Sequence, residues 1–220
     1  MNHKTLKEIC RRFGKLYTGT VADTLDKKGY RNQVLPHDIT PITIVNRMAG
    51  LAFTGQGSLC DDPKSDDTQM RLDMLETITP HSISVWACGG HAGSAHWGEI
   101  MSKAARQQGC QGAVIDGGVR DVDFINRMKF PVFARFKCSA SSIGRWEIRE
   151  YQVPIKIGDT PIFPGDFIFG DTDGVVVIPK DLIREILSEA EALFLRERDM
   201  RRELRKGASI KKAYKKYGAF

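Results

Sequence analysis

The feature that most constrains the fold is a short apolar run, Ala113-Val114-Ile115, which passes directly into Asp116-Gly117-Gly118-Val119-Arg120-Asp121. Consecutive apolar residues leave no solvent face, so the run belongs to a strand buried on both sides, as parallel strands are. The following glycines open a loop at its carboxyl end. Upstream lies an amphipathic segment with Trp97, Ile100, Met101, Ala104 and Ala105 on one side and a stop near Gly109. Ala49 to Gly55 and Ile83 to Cys88 are predicted strands, the second closed by a Gly89-Gly90 turn. Downstream, a short helix from Val122 and a strand from Pro131 to Phe136 complete a β-α-β-α-β order, which places the chain in the α/β class.

The rest of the chain fits one domain. Leu6, Ile9, Cys10 and Phe13 lie at helical spacing near the start, and a second helix is predicted over Val21 to Lys28 with Thr20 as its cap. Asn32 to Pro41 carries two prolines and is expected to be irregular. Between Gly158 and Ile178, clusters of Gly, Pro and Asp separate short apolar runs that end in Val175-Val176-Val177-Ile178, a pattern of β-strands and turns. From Asp181 the period turns helical through Leu182, Ile186, Leu187, Ala190 and Leu193, with Lys206-Gly207 as a stop. With 220 residues the chain is long enough for one substantial core. The expected organisation is a single α/β domain over 1–207 and a basic tail over 208–220.

Composition narrows the functional classes. No apolar run approaches the ~20 residues of a membrane helix. The first sixteen residues lack the apolar core of a signal peptide, so the expected location is cytoplasmic. The five cysteines are scattered and odd in number, which argues against a disulfide framework or a zinc site and for small buried hydrophobes. The net charge of +6 resides at the C-terminal end: from Arg196 to Phe220 ten Lys or Arg face Glu197, Asp199 and Glu203, leaving the remainder near −1. A basic end rather than a basic face makes a nucleic-acid partner an unexpected one.

The candidate chemistry gathers around the loop. Arg120 and Asp121 follow two glycines at the carboxyl end of a buried strand, where α/β folds build their sites. The arginine can hold a substrate carboxylate or keto oxygen, while the aspartate, expected on the other side of the loop, can bind a hard divalent cation. Gly98-Glu99-Ile100-Met101 opens the preceding helix, where free N–H groups and the helix dipole favour an anion such as an enolate oxygen. Glu99 can act there as a base. Alone, each piece is also compatible with an ordinary surface pair or a well-capped helix.

Glu99, twenty intervening residues, then Arg120-Asp121 resembles the D-x20-R-D signature of the class II HMG/CHA aldolases in the aldolase/RraA superfamily. The stretches from Ala22 to Pro36 (ADTLDKKGY…LP), Val114 to Asp123 (VIDGGVRDVD) and Pro164 to Pro179 (PGDFIFGDTDGVVVIP) also resemble this family, so that the likeness spans roughly Val21 to Gly207. It implies a compact RraA-like α/β fold of the swivelling β/α/β type with a sandwich-like core, assembled as a homotrimer or a hexamer with sites between subunits. It further implies a lyase that cleaves or decarboxylates a small oxo-acid through a pyruvate enolate. Gly98, Glu99, Ile100, Met101 and Arg120 would contact the substrate. Asp121 would bind Mg²⁺ or Mn²⁺ directly, with Glu99 and, from a neighbouring subunit, Glu197 acting through water. The chain departs from the signature in carrying Glu99 where the aldolases carry Asp.

Other readings leave marks of their own. RraA proteins, from the same superfamily, are non-catalytic regulators that bind a ribonuclease, and the basic tail suits such an acidic partner. A Schiff-base aldolase needs a buried lysine, and Lys103, one turn into a predicted helix, is expected in solvent. His91 and His96 are spaced by five rather than the four of a helical zinc pair, and are expected in a loop or facing substrate.

Overall fold

The structure is a computed structural model and describes residues 3–218. Two helices, α1 (His3–Phe13) and α2 (Thr18–Lys27), precede a short strand β1 (Thr40–Pro41) and the long strand β2 (Met48–Leu59). Then come α3 (Thr68–Thr77), β3 (Ser82–Ala87), β4 (Ala95–Trp97), α4 (Glu99–Gln107), β5 (Gly112–Val119), α5 (Val122–Met128) and β6 (Val132–Lys137). The last third contributes β7 (Trp146–Tyr151), the hairpin β8 (Ile155–Ile157) and β9 (Thr160–Ile162), and the hairpin β10 (Phe167–Asp171) and β11 (Gly174–Ile178). The long α6 (Ile183–Arg205) and α7 (Ile210–Tyr217) close the chain.

Among the described residues nine strands form one mixed sheet, seven in the order β1-β6-β5-β3-β2-β10-β11, with β4 paired to β5 and β7 to β2 beside that path. Its centre, β2-β3-β5-β6, is parallel, as the buried apolar runs require. One edge of β2 is shared: β10 pairs with Met48 to Leu51 and β7 with Gly55 to Leu59, both antiparallel. One edge of β5 is shared likewise. β3 takes Gly112 to Ile115 and β4 takes Gly118 and Val119. The register of β5 against β6 slips between Ile115 and Gly118, a bulge that bends the strand just before Arg120.

Three apolar clusters hold the layers together. Helices α3, α4 and α5 cover one face of the parallel strands through Met74, Leu75, Ala105 and Ile125, packed against Phe53, Trp86, Ile115 and Trp146. The β8–β9 hairpin, a separate two-stranded sheet, covers the other face through Ile155, Ile157 and Ile162 against Val85 and Val114. Helices α1, α2 and α6 pack on β10 and β11, and Phe13, fully buried, sits with its ring 4.6 Å from that of Phe167.

Several expectations change in detail. α2 begins at Thr18, not after Thr20, because Asp171 anchors its first turn from a distance: its Oδ2 accepts from the Thr18 N–H (2.9 Å) and its Oδ1 from the Thr18 hydroxyl (2.7 Å). Thr20, the expected cap, instead donates to Glu197 (3.3 Å). Only Cys88 and Cys110 are fully buried, the other three cysteines being partly exposed, and all five are free. The segment beyond Gly207 contains a helix, α7, whose four lysines are exposed and whose Ala213 is buried. No described helix is long and apolar enough to cross a membrane.

Candidate active site

The site lies where β4, the N-terminus of α4 and the loop after β5 meet. Strand β4 pairs with the end of β5 and stops at Trp97, just before Gly98, the N-terminal cap residue of α4. The Arg120 N–H donates to the Trp97 carbonyl (3.1 Å), which ties the loop to the start of the helix. Asp121 takes the left-handed conformation (φ 58°, ψ 30°), one that Asp tolerates better than most residues. That turn ends strand alternation, so Arg120 and Asp121 do not diverge. Arg120 Nε lies 3.5 Å from Asp121 Oδ2, both side chains being about two-fifths exposed. This corrects the expectation that they point to opposite sides of the loop.

Both side chains close over Gly98. A Cβ there would stand 2.8 Å from Asp121 Oδ2 and 3.4 Å from Arg120 Cγ, so the approach requires glycine. Asp121 Oδ2 accepts from the Glu99 N–H (3.3 Å). The Ser102 N–H makes the first helical bond, to the Gly98 carbonyl (3.0 Å), and the N–H groups of Ile100 and Met101 have no hydrogen-bond partner among the described residues. A helix start with two open donors beside a guanidinium is an anion site.

These groups line a cavity of about 300 Å³. Gly98, Ile100, Met101, Arg120 and Asp121 form part of its wall, along with Thr68, Arg71 and Ser142 from elements the sequence did not mark. The volume stands at the lower end of ligand pockets, ~300–1,000 Å³, and suits a small substrate. Glu99 is half-buried and holds its place through its backbone. Glu197 lines a different cavity of the same chain, with Tyr17, Thr20 and Asp23, and lies 3.5 Å from Arg201.

Beneath the loop is a histidine pair. His96 is on β4, 1% exposed, rather than in a loop. Its Nδ1 accepts from the Gly118 N–H (3.2 Å), which only a neutral ring can do, so its proton sits on Nε2 facing His91 Nδ1 (3.4 Å). Burial, followed by the nearby charges of His91 and Arg71, pushes the His96 pKa down to about 4. Gly117 allows this packing, since a Cβ there would stand 2.5 Å from His96 Nδ1. Asp116 is drawn up by burial against the opposing pull of Arg135, whose Nε donates to its Oδ1 at 2.5 Å. Lys103 is exposed.

No three His, Cys, Asp or Glu side chains gather as a metal cage among the described residues. Asp121 is a single, open carboxylate beside the anion site. That donor set fits a hard cation that keeps most of its waters, as Mg²⁺ does, and does not fit one that needs a cage of protein ligands.

Several known proteins resemble this chain. The RraA-like profile (Aldolase/RraA) matches residues 18–177. A Halalkalibacterium halodurans protein provisionally named 4-hydroxy-4-methyl-2-oxoglutarate aldolase is 32% identical over 84% of this chain and 82% of its own. Protein DlpA of Legionella pneumophila is 27% identical over 97% of this chain, which spans only 34% of that protein's length. A solved structure from Pseudomonas syringae pv. tomato superposes with a TM-score of 0.84 at 28% identity, covering 94% of this chain and 96% of that one. The chain belongs to the RraA-like (Aldolase/RraA) family.

Proposed function

We propose that the protein is a divalent-metal-dependent carbon–carbon lyase acting on a small oxo-acid that contains a pyruvoyl unit, of the 4-hydroxy-4-methyl-2-oxoglutarate aldolase or oxaloacetate decarboxylase type. The observation that carries this reading is the convergence of Arg120, Asp121 and the open N–H groups of Ile100 and Met101 on one small cavity. The provisional name of the Halalkalibacterium relative points the same way.

In this reading the pyruvoyl carboxylate or keto oxygen accepts from the N–H groups of Ile100 and Met101, and Arg120 donates to the keto oxygen. Cleavage of the C3–C4 bond leaves an electron pair that becomes the pyruvate enolate. Arg120 and the α4 dipole are in place before that charge develops, which is what lowers the barrier. Asp121 would hold Mg²⁺ or Mn²⁺, and the cation supplies Lewis-acid stabilisation of the enolate when bound. Glu99 carries the proton between the substrate hydroxyl and C3 of the enolate in retro-aldol cleavage; in decarboxylation CO₂ leaves and C3 takes up the proton. Glu99 is one methylene longer than the aspartate of the aldolase signature, and in this reading its partly buried side chain turns towards the substrate through the extra torsion. A homotrimer or hexamer, with Glu197 of the neighbouring subunit closing the site, belongs to the same proposal, as does a cytoplasmic location.

The test is pyruvate release from oxaloacetate and from 4-hydroxy-4-methyl-2-oxoglutarate, with Mg²⁺ or Mn²⁺ and then with EDTA. Release that EDTA abolishes and the cation restores supports the lyase. No release from either substrate contradicts it. A second reading, a non-catalytic regulator that binds an acidic protein such as a ribonuclease, draws on the exposed Arg201, Arg202, Arg205, Lys206 and the four lysines of α7. It requires binding that survives Asp121→Asn and disappears when residues 208–220 are deleted.

A further inference from the structure

The cavity contains a second guanidinium that the mechanism does not use. Arg71, on α3, lines it together with Ser142, and its side chain is only 12% exposed. Asp67, itself 5% exposed, grips one edge of the group: Arg71 Nε donates to Asp67 Oδ1 and Nη2 approaches Asp67 Oδ2, each at 2.8 Å. Nη2 also donates to the Ser142 hydroxyl (3.0 Å). Asp67 Oδ2 is fixed in turn by the Ile148 N–H (2.7 Å), and the Trp146 ring lies 5.9 Å from the guanidinium carbon. Nη1 alone makes no hydrogen bond among the described residues, although Arg71 borders the cavity.

A structural ion pair needs no cavity and leaves no donor open towards one. Here the guanidinium is clamped along one edge, and the remaining donors belong to a wall that sets the apolar Leu72, Leu75 and Ile143 beside the polar Thr68 and Ser141. A charged hydrogen bond made in a partly closed cavity is stronger than one made in open water. The group that matches a fixed guanidinium edge is a carboxylate.

We propose that Arg71 is a specificity-determining residue: its free Nη1, aimed by Asp67 and Ser142, receives a carboxylate on the half of the substrate that is not the pyruvoyl unit. This rests on the lyase reading for the place of the pyruvoyl half at Arg120 and the start of α4. A substrate with acid groups at both ends spans the cavity, and an oxo-acid with a neutral far end forfeits the Arg71 contact.

Binding of pyruvate and of 2-oxoglutarate, which differ in carrying one carboxylate or two, decides the matter. Titration calorimetry with Mg²⁺ present is run on the full chain, on Arg71→Gln and on Arg71→Lys, with melting curves for each. The wild type is expected to prefer 2-oxoglutarate, and Arg71→Gln to lose that ligand by roughly tenfold to a hundredfold while pyruvate stays within about twofold. Arg71→Lys, which keeps the charge but not the planar fork, is expected to lose part of the preference, and it decides the question if Arg71→Gln does not fold. Equal loss of both ligands, an unchanged ratio, or no binding of either by the wild type overturns the proposal. The two readings fail separately: an unchanged ratio in an active lyase removes only the Arg71 subsite. A lost preference in a protein that releases no pyruvate removes only the lyase.

Discussion

Protonation of His96 gives a stability change whose size can be worked out. The folded ring titrates near pH 4 and the unfolded one at its ordinary value of about 6.5. Above 6.5 both states are neutral and the full stability is present. As the pH falls below 6.5 the unfolded chain takes up a proton that the folded chain refuses, so stability is lost until about pH 4 and no further below it. The shift of about 2.5 units corresponds to about 3 kcal/mol in all, and about 2 kcal/mol of it is lost between pH 7 and pH 5. That range avoids most carboxylate titration. For a chain of this length 2 kcal/mol lowers the melting temperature by roughly 4–8 °C. The assay is calorimetric melting of wild type and His96→Gln at pH 7, 6 and 5, where the amide retains an acceptor for the Gly118 N–H but has no proton to gain. The wild type is expected to lose stability faster than the variant as the pH falls, with the two curves converging. A constant gap between them over pH 5–7 would refute the assignment of His96 as a buried neutral ring.

The site makes further predictions. Gly98→Ala places a Cβ against Asp121 Oδ2, a flexible end that can move, so melting is expected to change little while kcat/KM for pyruvate release falls at least tenfold. Arg120→Ala removes a donor to the developing charge and is expected to lower kcat by roughly a hundredfold to a thousandfold at unchanged melting temperature, since the side chain is about two-fifths exposed. Gly117→Ala pushes against His96 Nδ1 and is expected to cost about 1–3 kcal/mol in denaturant unfolding. Phe13→Ala empties the contact with Phe167 and is expected to cost about 3–5 kcal/mol in the same measurement.

The parts of this fold legible in the sequence are those where one residue pattern decides the structure. The apolar run at Ala113 to Ile115 cannot face water, and Gly109 and Gly207 stop α4 and α6 in backbone conformations (φ 87° and 86°) that favour glycine. β4 is not legible because three residues in a Gly- and His-rich stretch show no period, and pairing with β5 makes them a strand. Nor is α3: it buries only Met74 and Leu75, so its sequence carries almost no apolar face. Arg71 and Ser142 are hidden for a related reason, being 71 positions apart and joined only by tertiary packing. Arg120 and Asp121 stand out in the sequence as residues, but their shared direction does not. It depends on the left-handed backbone at Asp121, which Asp permits without requiring.

The most direct test of the central claim is enolate formation itself, followed by NMR as exchange of the pyruvate methyl protons for deuterium in D₂O with Mg²⁺ present. It needs no knowledge of the natural substrate. Exchange well above that of pyruvate with Mg²⁺ alone, lost on adding EDTA and in Arg120→Ala and Asp121→Asn, is the expected result. Exchange no faster than with Mg²⁺ alone, or equally fast in both variants, would contradict an enolate-forming site at Arg120 and Asp121.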